Sequence, residues 1–150
     1  MPTDANIAHL IDLQEHVDQR GRLVVTEVGK TLPFEAARMF VISGVPEGEP
    51  RGIHAHKQCH QFLVCVSGSV KAMVDNGDVR QVVTLDRPSL GLHMPPLTWG
   101  AQYDYSDDAV LVVLASHAYD ADDYIHDYDE FVSAVAVSLA DDVSRGADKA

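Results

Sequence analysis

Several features that mark specialised proteins are scarce in this chain. There are only two cysteines, Cys59 and Cys65, in 150 residues. That excludes a disulfide-built secreted scaffold. Their C-x5-C spacing fits no common zinc motif, so both read as free thiols in or beside one apolar run. Bases are also few, 11 Lys and Arg against 23 Asp and Glu, for a net charge of −12. A general nucleic-acid binder needs a basic face, which this balance argues against. No apolar run approaches the ~20 residues of a membrane-spanning helix. Met1-Pro2-Thr3-Asp4 places no base ahead of an apolar stretch, so it is no secretory signal. There is no internal repeat and no interdomain linker. With 46% hydrophobic and 23% charged residues, the expectation is one folded, soluble, cytoplasmic domain.

The distribution of charge says more than the total. Residues 104–150 hold twelve acids and two bases, whereas residues 20–60 hold six bases and four acids. A small basic zone inside an acidic shell suits a small anionic ligand.

The texture of the chain is mostly strand. Residues 4–19 read as a polar, frayed lead-in with a short helical tendency. From Arg22 onward, β-branched or aromatic runs at 22–28 and 38–43 are followed by further candidate strands at 61–66, 69–75, 79–85, 90–94, 98–105 and 109–115. Most are separated by Gly, Pro, Asn or Asp. Asp75-Asn76-Gly77-Asp78 reads as a hairpin turn, with Asn-Gly accepting positive φ at both central positions. Many short strands with no helices between them predict a β-sandwich or barrel. Near the end, Tyr128, Phe131, Val132, Val135, Ala136 and Leu139 recur at three- and four-residue steps. They predict an amphipathic helix over about 127–139, with 141–150 disordered.

The densest chemistry lies at Arg51-Gly52-Ile53-His54-Ala55-His56-Lys57-Gln58-Cys59-His60-Gln61. The two histidines of an H-x-H pair on a strand point to the same face. Without a metal, such a pair suits proton transfer: imidazole titrates near neutrality, so one ring can hold a proton while the other accepts one. Elsewhere, His9, His16 and His117 read as surface or structural residues, and the acidic run 120–130 as a solvated, helix-capping face.

The spacing resembles the first motif of cupins: Gly48, five residues, His54, one, His56, four, Gln61, six, Gly68. Gln61 stands where a metal-binding cupin has Glu, and an amide is a poorer ligand than a carboxylate. In Met94-Pro95-Pro96-Leu97-Thr98-Trp99, Trp99 stands near the place of the further histidine. The frame implies an all-β, cupin-like jelly roll, its barrel spanning about 21–118, with a short C-terminal helix.

Four segments sharpen the resemblance: Arg51 to Lys57, Gln61-Phe62-Leu63, Pro95-Pro96-Leu97-Thr98-Trp99, and Asp123-Tyr124-Ile125-His126-Asp127-Tyr128. In order and spacing they are similar to the sugar 3,4-ketoisomerase family of cupins, the WxcM-like enzymes of deoxysugar biosynthesis. The resemblance implies that the carbonyl of a dTDP-4-oxo-6-deoxyhexose moves from C4 to C3 through an enediol. It implies no metal, no redox cofactor, and a homodimer. Carried over by position, His54 is the carbon base and His56 relays the hydroxyl proton. Arg38 and Arg51 are candidates for the diphosphate. Lys57, Gln61, His93 and Tyr103 are further candidate substrate contacts, Lys57 being equally a solvated side chain. Trp99 either stacks on the ligand or fills the barrel core. Two departures stand out: Val41 and Ser43 replace tyrosines common after Arg38, and His126 replaces a common arginine. Alternative readings are a metal-dependent cupin dioxygenase and a non-catalytic sugar-nucleotide binding module.

Overall fold

The computed structural model describes residues 7–148. Twelve strands and one helix follow in order: β1 (His9–Asp12), β2 (Gln14–Asp18), β3 (Gly21–Val25), β4 (Arg38–Ser43), β5 (Arg51–His56), β6 (Gln61–Ser67), β7 (Val70–Asp75), β8 (Arg80–Leu85), β9 (Leu90–Met94), β10 (Trp99–Tyr103), β11 (Val110–Ala115), β12 (Tyr124–Ile125) and α1 (Tyr128–Asp148). One five-stranded sheet has the order β1-β9-β6-β11-β4, the other β12-β5-β10-β7-β8, and β2-β3 form a separate ribbon. The two sheets face each other as a cupin-like jelly roll. Leu63, Cys65, Leu92, Leu111 and Val113 of the first sheet meet Val70, Ala72, Val74 and Leu85 of the second in one buried cluster. Each fully buried aliphatic side chain of this kind contributes about 1.5–3 kcal/mol relative to exposure.

Period-two patterning explains which face each strand buries. Along β4, Arg38, Phe40 and Ile42 are half-buried while Met39, Val41 and Ser43 are exposed. Val41 and Ser43, named above as a departure, therefore point outward, away from the core. Strand β11 alternates the same way, with Leu111, Val113 and Ala115 buried.

Part of the outer face of each sheet is covered, each by a different segment. Behind the first sheet, Leu13, Leu32 and Phe62 form a buried cluster joined by Val24 and Phe34. Behind the second, Phe131, Ala134 and Val135 of α1 pack on Ala55, Trp99 and Ile125. Helix α1 starts where its sequence dictates: Asp127 accepts from the Glu130 backbone N–H (2.9 Å), an N-cap with Glu at the third helical position.

Three expectations need correction. The lead-in is not helical: β1 pairs with β9 and β2 with β3, while residues 4–6 lie outside the described residues. The first turn of a helix and a strand edge are both served by such mixed polar-apolar sequence, and pairing with β9 decided it. The 75–78 turn is a four-residue loop between Asp75 and Arg80, with positive φ at Gly77 and not at Asn76. Asn76 instead turns its side-chain oxygen to the Asp78 and Val79 N–H groups. Finally, α1 runs through Asp148, past the expected end near 139. No glycine or proline interrupts residues 128–145, so helical hydrogen bonding continues beyond the last packed residue. Residues 149–150 lie outside the described residues.

Candidate active site

Strand β5 carries the chemistry, and a bulge aims it. Gly100 of β10 opposes His54 whereas Gln102 opposes Arg51, so β5 spends one extra residue between these two pairs. Gly52 sits there at φ 68, a conformation that favours glycine. The bulge breaks strict alternation and lets Arg51, Gly52 and His54 line the same cavity. That cavity of about 180 Å³ is completed by Phe40, Ile42, Gln61, Leu63, Gln102, Val113 and Tyr124. Its lining mixes apolar side chains with five polar ones, Arg51, His54, Gln61, Gln102 and Tyr124, which suits a polar small molecule.

Three side chains form a chain of hydrogen bonds at its end. His54 Nε2 and His56 Nε2 are 3.2 Å apart. On its far side His56 donates Nδ1–H to Asp123 Oδ2 across 2.9 Å. The other carboxylate oxygen, Oδ1, accepts the backbone N–H of Gln58 at 2.7 Å. Both partners are well shielded, with side chains 6% and 12% exposed. The backbone is pinned as well: the carbonyl of His56 accepts the N–H of Leu97 at 2.7 Å, and Leu97 holds a positive φ of 58. Tyr124 covers both imidazoles, its ring centroid 4.9 Å from His54 and 4.4 Å from His56. His126 stacks on Tyr124 and comes within 5.9 Å of His54.

Electrostatics follow from that burial. Removal from water pushes His54 down to about 4, reinforced by the neighbouring His56 and His126. His54 is therefore neutral at physiological pH, with a lone pair available. Burial also lowers His56, but the bond to Asp123 opposes the shift. Because Asp123 engages Nδ1–H, the two Nε2 atoms share one proton between them. One ring is then an acid and the other a base, with the proton able to change places across the short contact.

The predicted site residues divide into two groups. His54, Arg51 and Gln61 line the cavity, and His56 lies directly behind His54. Arg38 shares a strand face with the cavity residues Phe40 and Ile42, and its guanidinium sits 5.6 Å from the Phe40 ring centroid. Its Nε is buried without a hydrogen-bond partner. Lys57 is exposed past the end of β5 and donates its backbone N–H to the Asp123 carbonyl.

His93, Trp99 and Tyr103 lie outside this group. His93 is fully buried on the far side of the first sheet, its Nε2 3.0 Å from His60 Nδ1. On β9, Leu90, Leu92 and Met94 take the barrel interior, so period two sends His93 outward. Trp99 packs against Phe131 under α1, which makes it an outer-layer aromatic, and Tyr103 shares its strand parity.

Sequence reasoning passed over Asp123 and Tyr124 as site residues and treated the acidic run as solvated. The available signal was Asp123-Tyr124 within a recognisable motif. What was missing is the antiparallel pairing of Tyr124 with His56. As for metal, His54 and His56 present adjacent nitrogens, but among the described residues no Cys, Asp, Glu or third His joins His54 in one cluster.

Residues 6–136 match the family described as WxcM-like, C-terminal. The chain belongs to this family. It is 42% identical over 127 residues to a TDP-4-oxo-6-deoxy-alpha-D-glucose-3,4-oxoisomerase of Aneurinibacillus thermoaerophilus, covering 85% of this chain and 91% of the relative. Among solved structures it resembles the sugar 3,4-ketoisomerase QdtA of Thermoanaerobacterium thermosaccharolyticum in complex with TDP, at TM-score 0.83 and 36% identity, covering 87% of this chain and 96% of the other. A mutant of that enzyme, with histidine replaced by asparagine, is solved with TDP-4-keto-6-deoxyglucose. The Campylobacter jejuni TDP-quinovose 3,4-ketoisomerase WlaRB matches at TM-score 0.81 and 37% identity, covering 84% of this chain and 97% of the other.

Proposed function

We propose that this WxcM-like protein is an isomerase that moves the carbonyl of a TDP-linked 4-oxo-6-deoxyhexose from C4 to C3. The observation that carries the reading is the His54–His56–Asp123 chain at the end of the cavity. Carbonyl migration requires a proton to leave C3, a hydroxyl proton to pass between two adjacent oxygens, and a proton to arrive at C4. No atom is gained or lost, and acid–base groups held in register suffice. We assign His54 as the carbon base, since burial keeps it neutral and it lines the cavity. We assign His56 to the hydroxyl proton, with Asp123 holding its ring. Arg51, at the cavity edge, and Arg38 supply guanidinium groups for the diphosphate. Gln61 and Gln102 offer amides to the sugar hydroxyls, and Tyr124 closes the wall.

The active unit is a homodimer built from one domain per chain. Exposed apolar residues support this: Met39 and Val41 on edge strand β4, and Val17 and Leu23 on the β2–β3 ribbon. The protein works in the cytoplasm, which its two free, buried cysteines suit. Among the described residues, no helix is long and apolar enough to cross a membrane.

The test is proton NMR of the protein with TDP-4-oxo-6-deoxyglucose in deuterated water containing EDTA. A 3-oxo product with deuterium beside the carbonyl is expected, and the C4 coupling constant gives its configuration. Exchange at C3 and C5 without carbonyl migration would mean epimerase chemistry. Binding of TDP without turnover would mean a binding module. Turnover that EDTA abolishes would mean a metal-dependent enzyme.

A further inference from the structure

The far side of His56 carries an arrangement that proton relay does not need. His56, Cys59 and Asp123 each offer one ligand atom, and the three atoms lie within 4.8 Å of one another. They come from three segments: the end of β5, the loop to β6, and the turn before β12. Cys59 is 2% exposed and His56 5% exposed. The thiol is only loosely engaged, donating to the His60 carbonyl at 3.3 Å and accepting from Ser116 Oγ at 3.8 Å. Asp123 Oδ1 is anchored by the Gln58 N–H, which holds Oδ2 toward His56 as an outer-shell partner orients a metal-binding carboxylate. Thiolate, imidazole and carboxylate together are a donor set for a borderline divalent cation of the zinc class, with a fourth position left to water.

We propose that this cluster is an inhibitory site for zinc-class cations, distinct from the cavity in which the sugar reacts. On binding, the metal forms bonds to His56 Nδ1, Cys59 Sγ and Asp123 Oδ2. The thiol proton leaves to solvent. The proton on His56 Nδ1 is displaced, His56 Nε2 takes the shared proton from His54, and His54 takes one up at its Nδ1, so the two rings still hold two protons. The imidazole of His56, with Nδ1 committed to the metal, then carries its one remaining proton on Nε2 and has no lone pair left there. It can no longer take the proton back from His54, so the exchange between the two rings stops. Cys65 has no part in this: it is fully buried in the barrel core, where burial pushes its thiol up.

The metal site is tested without substrate, so its outcome is independent of the isomerase reading. EDTA-treated protein is titrated with Co²⁺. One equivalent is expected to give a thiolate-to-cobalt charge-transfer band in the near ultraviolet, which Zn²⁺ then displaces. Cys59→Ser is expected to abolish the band and weaken Zn²⁺ binding at least about tenfold, the loss that even an outer-shell partner produces. Cys65→Ser is expected to keep both. In turnover assays, sensitivity is read within each variant as the ratio of rates with and without Zn²⁺. The wild type loses most of its rate and regains it with EDTA, while Cys59→Ser is resistant. Absence of the band in the wild type overturns the proposal, whatever the variants do. So does a band that survives in Cys59→Ser, or that disappears in Cys65→Ser.

Discussion

Replacing Asp123 by asparagine removes one charge and one acceptor with almost no change in shape. The carboxylate serves two donors at once: Oδ2 takes His56 Nδ1–H at 2.9 Å and Oδ1 takes the Gln58 N–H at 2.7 Å. An asparagine has a single acceptor oxygen, so one of these N–H groups must face an NH₂ group instead. If the backbone keeps the oxygen, His56 loses the partner that orients its ring and opposes the effect of burial. A hydrogen bond to a charged partner is worth about 1.5–3 kcal/mol, and the His56 and Asp123 side chains are only 6% and 12% exposed, so water screens little of it. At 1.36 kcal/mol per decade, kcat is expected to fall about 10- to 150-fold. Asp123 does not line the cavity, so KM should move less than about threefold, the pattern of a group that acts on the reacting state. The assay is initial-rate NMR at several substrate concentrations, with a thermal melt to show that the variant is folded. A folded Asp123→Asn protein with wild-type kcat, or one that raises KM alone, would refute the assignment of Asp123 as the residue that positions His56.

Further expectations follow from the same geometry. His54 should act as a base only while neutral, and burial holds it at about 4; the acidic limb of kcat/KM is therefore expected near pH 4–5, and a midpoint at 6.5 would count against His54. His54→Asn should abolish both product and deuterium incorporation while leaving TDP binding intact, as read by calorimetry. His93, fully buried and held at about 4 by burial and its histidine neighbours, gains a proton on unfolding at mildly acidic pH. Its contribution to stability is therefore whole above pH 6.5 and declines as pH falls toward 4, by up to about 3 kcal/mol; His93→Met should make the melting temperature fall less steeply between those pH values, the other buried histidines keeping their share. Trp99→Phe should lower the melting point and leave KM within about threefold, because Trp99 packs on Phe131 and not in the cavity; a large rise in KM would place it against substrate. Phe131→Ala, at 0% exposure, should cost about 3–5 kcal/mol in denaturant unfolding.

Local pattern and composition determined a good deal by themselves. β4 and β9 sit at the residues their alternating or apolar runs indicated, because a short apolar run bounded by turn formers leaves few other conformations. The H-x-H pair announced itself, since period two places alternate residues on one face whatever lies across from them. The identity of the family was also legible, through motifs whose spacing survives in the chain. Tertiary structure decided the rest. Asp123 is 67 residues from His56, and nothing in an acidic run says which carboxylate will be withdrawn from water by a two-residue strand. His93 and Trp99 looked like pocket residues because each neighbours the motifs in sequence. Each faces outward because the barrel interior claims the other parity of its strand. Arg51 shows the converse: simple alternation would set it on the opposite face from His54, and a bulge at Gly52 brings it to the cavity. The lead-in became strand because β9 offered an unpaired edge, a fact located some eighty residues away. Side-chain period is a local property of the backbone, whereas the choice of what lies across a sheet belongs to the folded chain as a whole.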